Sequence, residues 1–128
     1  MTRGPILVVD DEPFILQSLV YLLEREGFEV VTAIDGEEAL ERARACRPEL
    51  VFLDIMLPKR DGYDVCRTIK SDPALRSSRV VMLTAKGRET DRARGFAAGA
   101  DDYMTKPYSP SRILEMTRAF LGVSPANQ

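Results

Sequence analysis

Leu50-Val51-Phe52-Leu53 is an unbroken apolar run that ends abruptly on Asp54. Four apolar residues in succession, with no polar alternation, predict a strand covered on both faces, as in a parallel sheet between helix layers. A carboxylate closing such a strand needs a partner or a task, because an unpaired charge there is costly. Ile55 to Gly62 then reads as a loop carrying Pro58 and Gly62, before a helical pattern resumes. Strand, acid, loop and helix in that order is how an open α/β sheet presents a site at the carboxyl ends of its strands.

The same grammar recurs along the chain. Ile6-Leu7-Val8-Val9 is a second apolar run ending on acids, Asp10, Asp11 and Glu12. Pro13 suits a first helical turn, with Asp11 as its N-cap, and Ile15, Leu19, Leu22 and Leu23 recur at helical spacing up to Gly27. Phe28 to Ile34 reads as a strand, and Asp35 with Glu38 as a capping box for a helix that carries Ala39, Leu40 and Ala43 inward and stops before Pro48. After Asp54 a helix is predicted from about Gly62 to Ser71, with Val65, Cys66 and Ile69 inside. Val80-Val81-Met82-Leu83 is a fourth strand ending on Thr84. A helix over about 88–98 is weakly apolar, and Ala93, Phe96, Ala97 and Ala98 are its expected packing residues. A short strand over 101–104 leads to Thr105-Lys106-Pro107, and Ser109 caps a last helix with Ile113, Leu114, Thr117 and Leu121 inward.

Five strands alternating with five helices predict an α/β fold: a flavodoxin-like (βα)5 doubly wound sandwich with a five-stranded parallel sheet in order 2-1-3-4-5. Residues 1–122 make one domain and 123–128 a C-terminal tail. At 45% apolar and 30% charged residues the chain can fill one core and solvate its surface. A net charge of −2 does not suggest direct nucleic-acid binding. Histidine is absent and Cys46 and Cys66 stand apart, which excludes His- and Cys-based metal sites and predicts two free, buried thiols in a reducing compartment. No apolar run approaches the ~20 residues of a membrane span, and the expectation is a soluble, cytoplasmic protein.

In that strand order Asp10, Asp11 and Asp54 converge at the switch point, and Thr84 and Lys106 reach the same edge. Three ionised carboxylates need a cation between them. An all-oxygen donor set favours a hard ion such as Mg²⁺, which is content with one or two carboxylates, waters and phosphate oxygens. A carboxylate can itself be a nucleophile and form an aspartyl phosphate. Asp54 fits that role, Asp10 and Asp11 the metal, Lys106 the charge, and Thr84 a hydrogen bond to a phosphoryl oxygen. Judged singly, Asp11 is as well explained as a helix cap, Thr84 as a strand end and Lys106 as a surface charge. Their joint position at the carboxyl ends of four strands is what points to a site.

The motifs Leu7-Val8-Val9-Asp10-Asp11-Glu12, Leu53-Asp54-Ile55-Met56-Leu57-Pro58 with Asp61-Gly62, Met82-Leu83-Thr84-Ala85 and Gly99 to Pro107 resemble, in this order, a receiver domain of the two-component response regulators over Ile6 to about Leu121. The look is closest to receivers that precede winged-helix DNA-binding domains. The resemblance implies that Asp54 accepts a phosphoryl group from a sensor histidine kinase or phosphotransfer protein. It implies that Asp11 ligates Mg²⁺ directly, Asp10 through water, and Met56 through its backbone carbonyl. It further implies a cis Lys106-Pro107 peptide, Thr84 and Tyr103 as switch residues, and a responsive face made of the fourth helix, fifth strand and fifth helix. A phosphorylation-dependent homodimer fits the family, and DNA would be reached only through an output domain outside these residues. Met56, Ala85 and Lys86 flank the phosphate; neither Met56 nor a protonated Lys86 orients attacking water well, so slow to intermediate self-dephosphorylation is expected.

Two other chemistries are less well matched. Mg²⁺-dependent aspartyl-phosphate hydrolases resemble DxDxT after a strand, and Asp54-Ile55-Met56 lacks the second acid. A nucleotide or flavin binder needs a phosphate-cradling glycine-rich loop, where Asp10-Asp11-Glu12-Pro13 would repel phosphate. A receiver-shaped scaffold that is never phosphorylated would not need the full acidic set.

Overall fold

The structure, a computed structural model, describes residues 5–84, 89–106 and 108–122. Among these, strands and helices alternate throughout: β1 (Ile6–Val9), α1 (Pro13–Arg25), β2 (Val30–Ala33), α2 (Gly36–Cys46), β3 (Leu50–Asp54), α3 (Gly62–Ser71), β4 (Arg79–Thr84), α4 (Glu89–Ala97), β5 (Asp102–Thr105) and α5 (Pro110–Leu121). All strand pairings are parallel, in the expected order β2-β1-β3-β4-β5. The period-two alternation of the strands splits the core in two. Leu7, Val9, Val51, Leu53 and Met82 face α2 and α3, whereas Ile6, Val8, Phe52, Val81 and Leu83 face α1 and α5. That is why the central strands read as continuous apolar runs: each residue is covered, on one side or the other.

Capping follows the expectation at α2 and α5, and α3 has a cap that was not expected. The Asp35 carboxylate accepts the Glu38 N–H at 2.8 Å and the Glu38 carboxylate accepts the Ile34 N–H at 2.9 Å, closing α2's capping box. Asp61 caps α3 and Ser109 caps α5, with Pro110 in its first turn. At α1 the expectation fails. Glu12, not Asp11, is the N-cap residue and makes no side-chain cap bond. Asp10 instead accepts the Glu12 N–H at 2.9 Å, which leaves the Asp11 carboxylate outside the helix start.

Other differences are differences of facing. β2 is shorter than 28–34, because Ile34 is exposed past the last β1 partner. Arg88 lies outside the described residues, and α4 does not pack through Phe96. Phe96 is 44% exposed and Ala93 and Ala97 are exposed, while Gly95 and Ala98 are buried. A Cβ at Gly95 would already stand 3.5 Å from the Met82 side chain and 3.9 Å from the Tyr103 ring. The large residues are on the sheet, so the helix meets them with its smallest one. In α5, Met116 is buried and Leu114 only half-buried. Cys66 is buried and Cys46 half-buried; both are free. Among the described residues, no helix is long and apolar enough to cross a membrane.

Candidate functional site

The carboxyl edge of the sheet collects the acids. Asp10 follows β1 directly and is 0% exposed. Its N–H donates to the Ala33 carbonyl at 3.2 Å, continuing the β1–β2 pairing by one residue and aiming the side chain into the edge. Asp54 ends β3, buried, and accepts the Met56 N–H at 3.3 Å. Asp11 is exposed at the mouth. Each of Asp10, Asp11 and Asp54 offers a carboxylate oxygen, and these oxygens lie within 4.8 Å of one another.

Lys106 reaches this cluster from the end of β5. Its N–H donates to the Thr84 carbonyl at 2.6 Å, so β4 sets the lysine backbone. Its Nζ stands 3.1 Å from Asp10 Oδ2 and 3.5 Å from Asp54 Oδ2. Thr84 is buried at the end of β4, one strand from Asp54, whose register partner is Leu83. The Met56 side chain is 77% exposed over the loop that follows. Gly62 lets that loop turn tightly: its N–H donates to the Ile55 carbonyl at 2.8 Å, and a Cβ there would meet the Asp54 carbonyl oxygen at 2.5 Å. Of the residues expected at the site, Asp10, Asp11, Asp54, Met56, Thr84 and Lys106 stand on one edge. Ala85, Lys86 and Pro107, and with Pro107 the cis peptide, lie outside the described residues.

Electrostatics single out Asp54. Burial first, then the neighbouring Asp10 charge, push its carboxyl up from 3.8 to about 6, against the opposing pull of Lys106 and the Met56 N–H. A lysine shared between two carboxylates leaves negative charge over. The donor set is all oxygen and partly open through Asp11, so the residues fit a hard divalent cation. Sequence reading missed Tyr108. Its hydroxyl is buried without a hydrogen-bond partner, and burial, then Asp10 and Asp54, raise its pKa. Its position just after Lys106-Pro107 was the available signal.

Tyr103, the expected switch aromatic, is buried in β5 with the Arg92 guanidinium 5.5 Å from its ring centroid. It lies two strands from β3, with Met82 of the intervening β4 as its register partner.

A flavodoxin-like sheet with three carboxylates and a lysine on its carboxyl edge is the architecture of a receiver domain. Residues 6–118 match the response regulator receiver domain family. The chain is 49% identical over 116 residues to the alkaline phosphatase synthesis transcriptional regulatory protein PhoP of Bacillus subtilis (strain 168), covering 91% of this chain and 48% of PhoP. It superposes on a putative response regulator from Chloroflexus aurantiacus J-10-fl with a TM-score of 0.89 and 33% identity, covering 94% of this chain and 99% of the other. The BeF3-activated DrrB receiver domain gives a TM-score of 0.85 at 36% identity, with 94% and 99% covered. The chain therefore belongs to the response regulator receiver domain family of two-component signal transduction. It spans about half the length of curated relatives such as PhoP and the DNA-binding response regulator MtrA of Mycolicibacterium smegmatis (strain ATCC 700084 / mc(2)155).

Proposed function

We propose that this domain, over residues 1–122, accepts a phosphoryl group on Asp54 from the phosphohistidine of a sensor histidine kinase or phosphotransfer protein and transmits the change through its α4–β5–α5 face. The observation that carries the reading is Lys106 Nζ held between Asp10 and Asp54 at 3.1 and 3.5 Å. Asp54 attacks phosphorus through a carboxylate oxygen; the P–O bond forms as the P–N bond breaks, and the donor imidazole leaves with the electron pair. Lys106 can follow the charge from Asp10 onto a phosphoryl oxygen, and the Thr84 hydroxyl can donate to another. Asp10, Asp11, Asp54 and the Met56 carbonyl would hold Mg²⁺, which supplies charge neutralisation for the incoming phosphoryl group. That BeF3 activates the related DrrB receiver supports the same chemistry here. The domain works in the cytoplasm; it reaches DNA only through an output domain outside these residues, and a phosphorylation-dependent homodimer fits the exposed face of α4. Intact-mass measurement after incubation with acetyl phosphate tests the reading. A Mg²⁺-dependent gain of one base-labile, acid-stable phosphoryl group is expected, and no gain would refute it.

Mg²⁺ should stabilise the fold by mass action, since it relieves repulsion that only the folded state assembles. Thermal melts with and without millimolar Mg²⁺ should differ by several degrees in wild type and by much less in Asp11→Asn. An undiminished shift in Asp11→Asn would remove Asp11 from the ligand set.

The switch rests on how α4 is held. It meets the sheet through Gly95 and Ala98, and Arg92 covers Tyr103. A helix seated on a glycine has little buried area resisting displacement, so drawing the Thr84 hydroxyl toward phosphate can rearrange Tyr103 and α4 together at small cost. Amide NMR with beryllofluoride and Mg²⁺ should show shifts at Tyr103 and residues 92–98. Shifts confined to the neighbours of Asp54 would place the output elsewhere.

A further inference from the structure

The loop that carries Met56 is seated against a different β–α unit of the sheet. Gly36 opens α2, and its N–H donates to the Pro58 carbonyl at 3.2 Å. A Cβ at position 36 would fall on the Arg60 carbonyl oxygen and stand 2.6 Å from the Arg60 Cβ. Gly36 is not in the left-handed region, so the close approach of Arg60, and not backbone conformation, is what calls for glycine. Beside it Asp35 divides its carboxylate: Oδ1 caps α2, and Oδ2 lies 3.6 Å from Lys59 Nζ.

The loop itself is fixed on its other side. Lys59 is held at φ 70, a conformation that persists in a residue with a Cβ only where the surroundings enforce it. The Arg60 N–H donates to the Pro58 carbonyl at 2.8 Å. The Arg60 side chain donates to Asp64 at 2.6 Å and to Thr68 at 3.0 Å on α3. Pro58-Lys59-Arg60 is thus wedged between the start of α2 and the flank of α3, just downstream of Met56.

We propose that Gly36 is a positioning residue for the phosphoacceptor site: by lacking a side chain it seats Pro58–Arg60, and that seat sets where the Met56 carbonyl lies relative to the three carboxylates. The proposal rests on the reading that this carbonyl and those carboxylates hold Mg²⁺. A purely structural Gly36 would affect the melt of the metal-free protein and leave metal affinity alone. At a positioning Gly36, alanine lowers metal affinity as well, because a Cβ that must displace the Arg60 backbone also displaces the donor upstream of it.

The experiment is a Mg²⁺ titration of the chain followed by amide NMR, with melts in EDTA, for wild type, Gly36→Ala and Lys59→Gln. Gly36→Ala is expected to keep its sheet amides, to shift those of residues 55–60, and to bind Mg²⁺ about tenfold more weakly. Lys59→Gln discriminates by sign. Removing a positive charge from this loop should tighten Mg²⁺ if charge alone matters, whereas loss of the Asp35 contact should loosen it about two- to threefold. Mg²⁺ affinity in Gly36→Ala within twofold of wild type overturns the positioning role alone. If Gly36→Ala does not fold, tighter Mg²⁺ binding by Lys59→Gln overturns it. Absence of Mg²⁺ binding in wild type overturns the metal site and the positioning role together.

Discussion

Asp54→Ala is expected to gain no phosphoryl group from acetyl phosphate and Mg²⁺ under conditions that load the wild type. The other two acids cannot take its place. Asp10 is 0% exposed, with one oxygen accepting the Glu12 N–H and the other beside Lys106, so neither faces a donor. Asp11 is open to solvent but lies beyond the strand end, where no lysine contact is found among the described residues. Like Asp10, Asp54 has a lysine ammonium, at 3.5 Å, and a backbone N–H, at 3.3 Å, but it keeps 6% exposure at the mouth where Asp10 keeps none. Lys106→Ala should keep the acceptor and slow loading about 10²-fold, the usual effect of removing one preorganised electrostatic partner from a reacting centre. Intact mass gives the yield and its time course gives the rate. Equal yield in Asp54→Ala would move the acceptor to another residue; an unchanged rate in Lys106→Ala would make Lys106 a structural ion pair only.

The sheet edge was legible in the sequence because each strand announces its own end. Val9-Asp10, Leu53-Asp54 and Leu83-Thr84 mark the point where an apolar run meets a polar residue, and parallel pairing aligns those points. What escaped was decided between elements. Asp11 reads locally as a helix cap, yet Asp10 takes the Glu12 N–H instead, and no local pattern separates two adjacent aspartates. Phe96 reads as the core residue of α4, but Met82 and Tyr103 already fill that space from the sheet and turn the helix toward them by Gly95. The contact of Gly36 with Arg60 joins residues from different β–α units, and nothing near either position signals it. Tyr108 follows Lys106-Pro107, which hints at the site, but its relation to Asp10 and Asp54 exists only once β5 lies beside β4.

Asp54→Asn should stabilise the metal-free protein, and the gain should depend on pH with a defined sign. Burial, then Asp10, hold the Asp54 carboxyl at about 6 in the folded protein, above its ordinary 3.8. Between those values the folded chain keeps a proton that the unfolded chain has released, so stability falls as pH rises through that window. Above about pH 6 the full cost is present, on the order of 2–3 kcal/mol at 1.36 kcal/mol for each pH unit. Asparagine keeps the shape and cannot ionise. Its advantage should therefore be absent near pH 4, grow through pH 5 and level off by about pH 7, reaching on the order of 10 °C in melting temperature for a domain of this size. Titrating groups away from the site are common to both chains and cancel in the difference, while Asp10 and Lys106 titrate together with Asp54 and belong to the effect. Mg²⁺ should narrow the gap at pH 7, because wild type recovers part of the cost of its charge by binding the ion while Asp54→Asn has lost a ligand. Melts of both proteins in EDTA across this range, then with Mg²⁺, are the measurement. A gain that does not vary with pH would mean that asparagine acts through packing, and that Asp54 is not the strained charge on which the site is built.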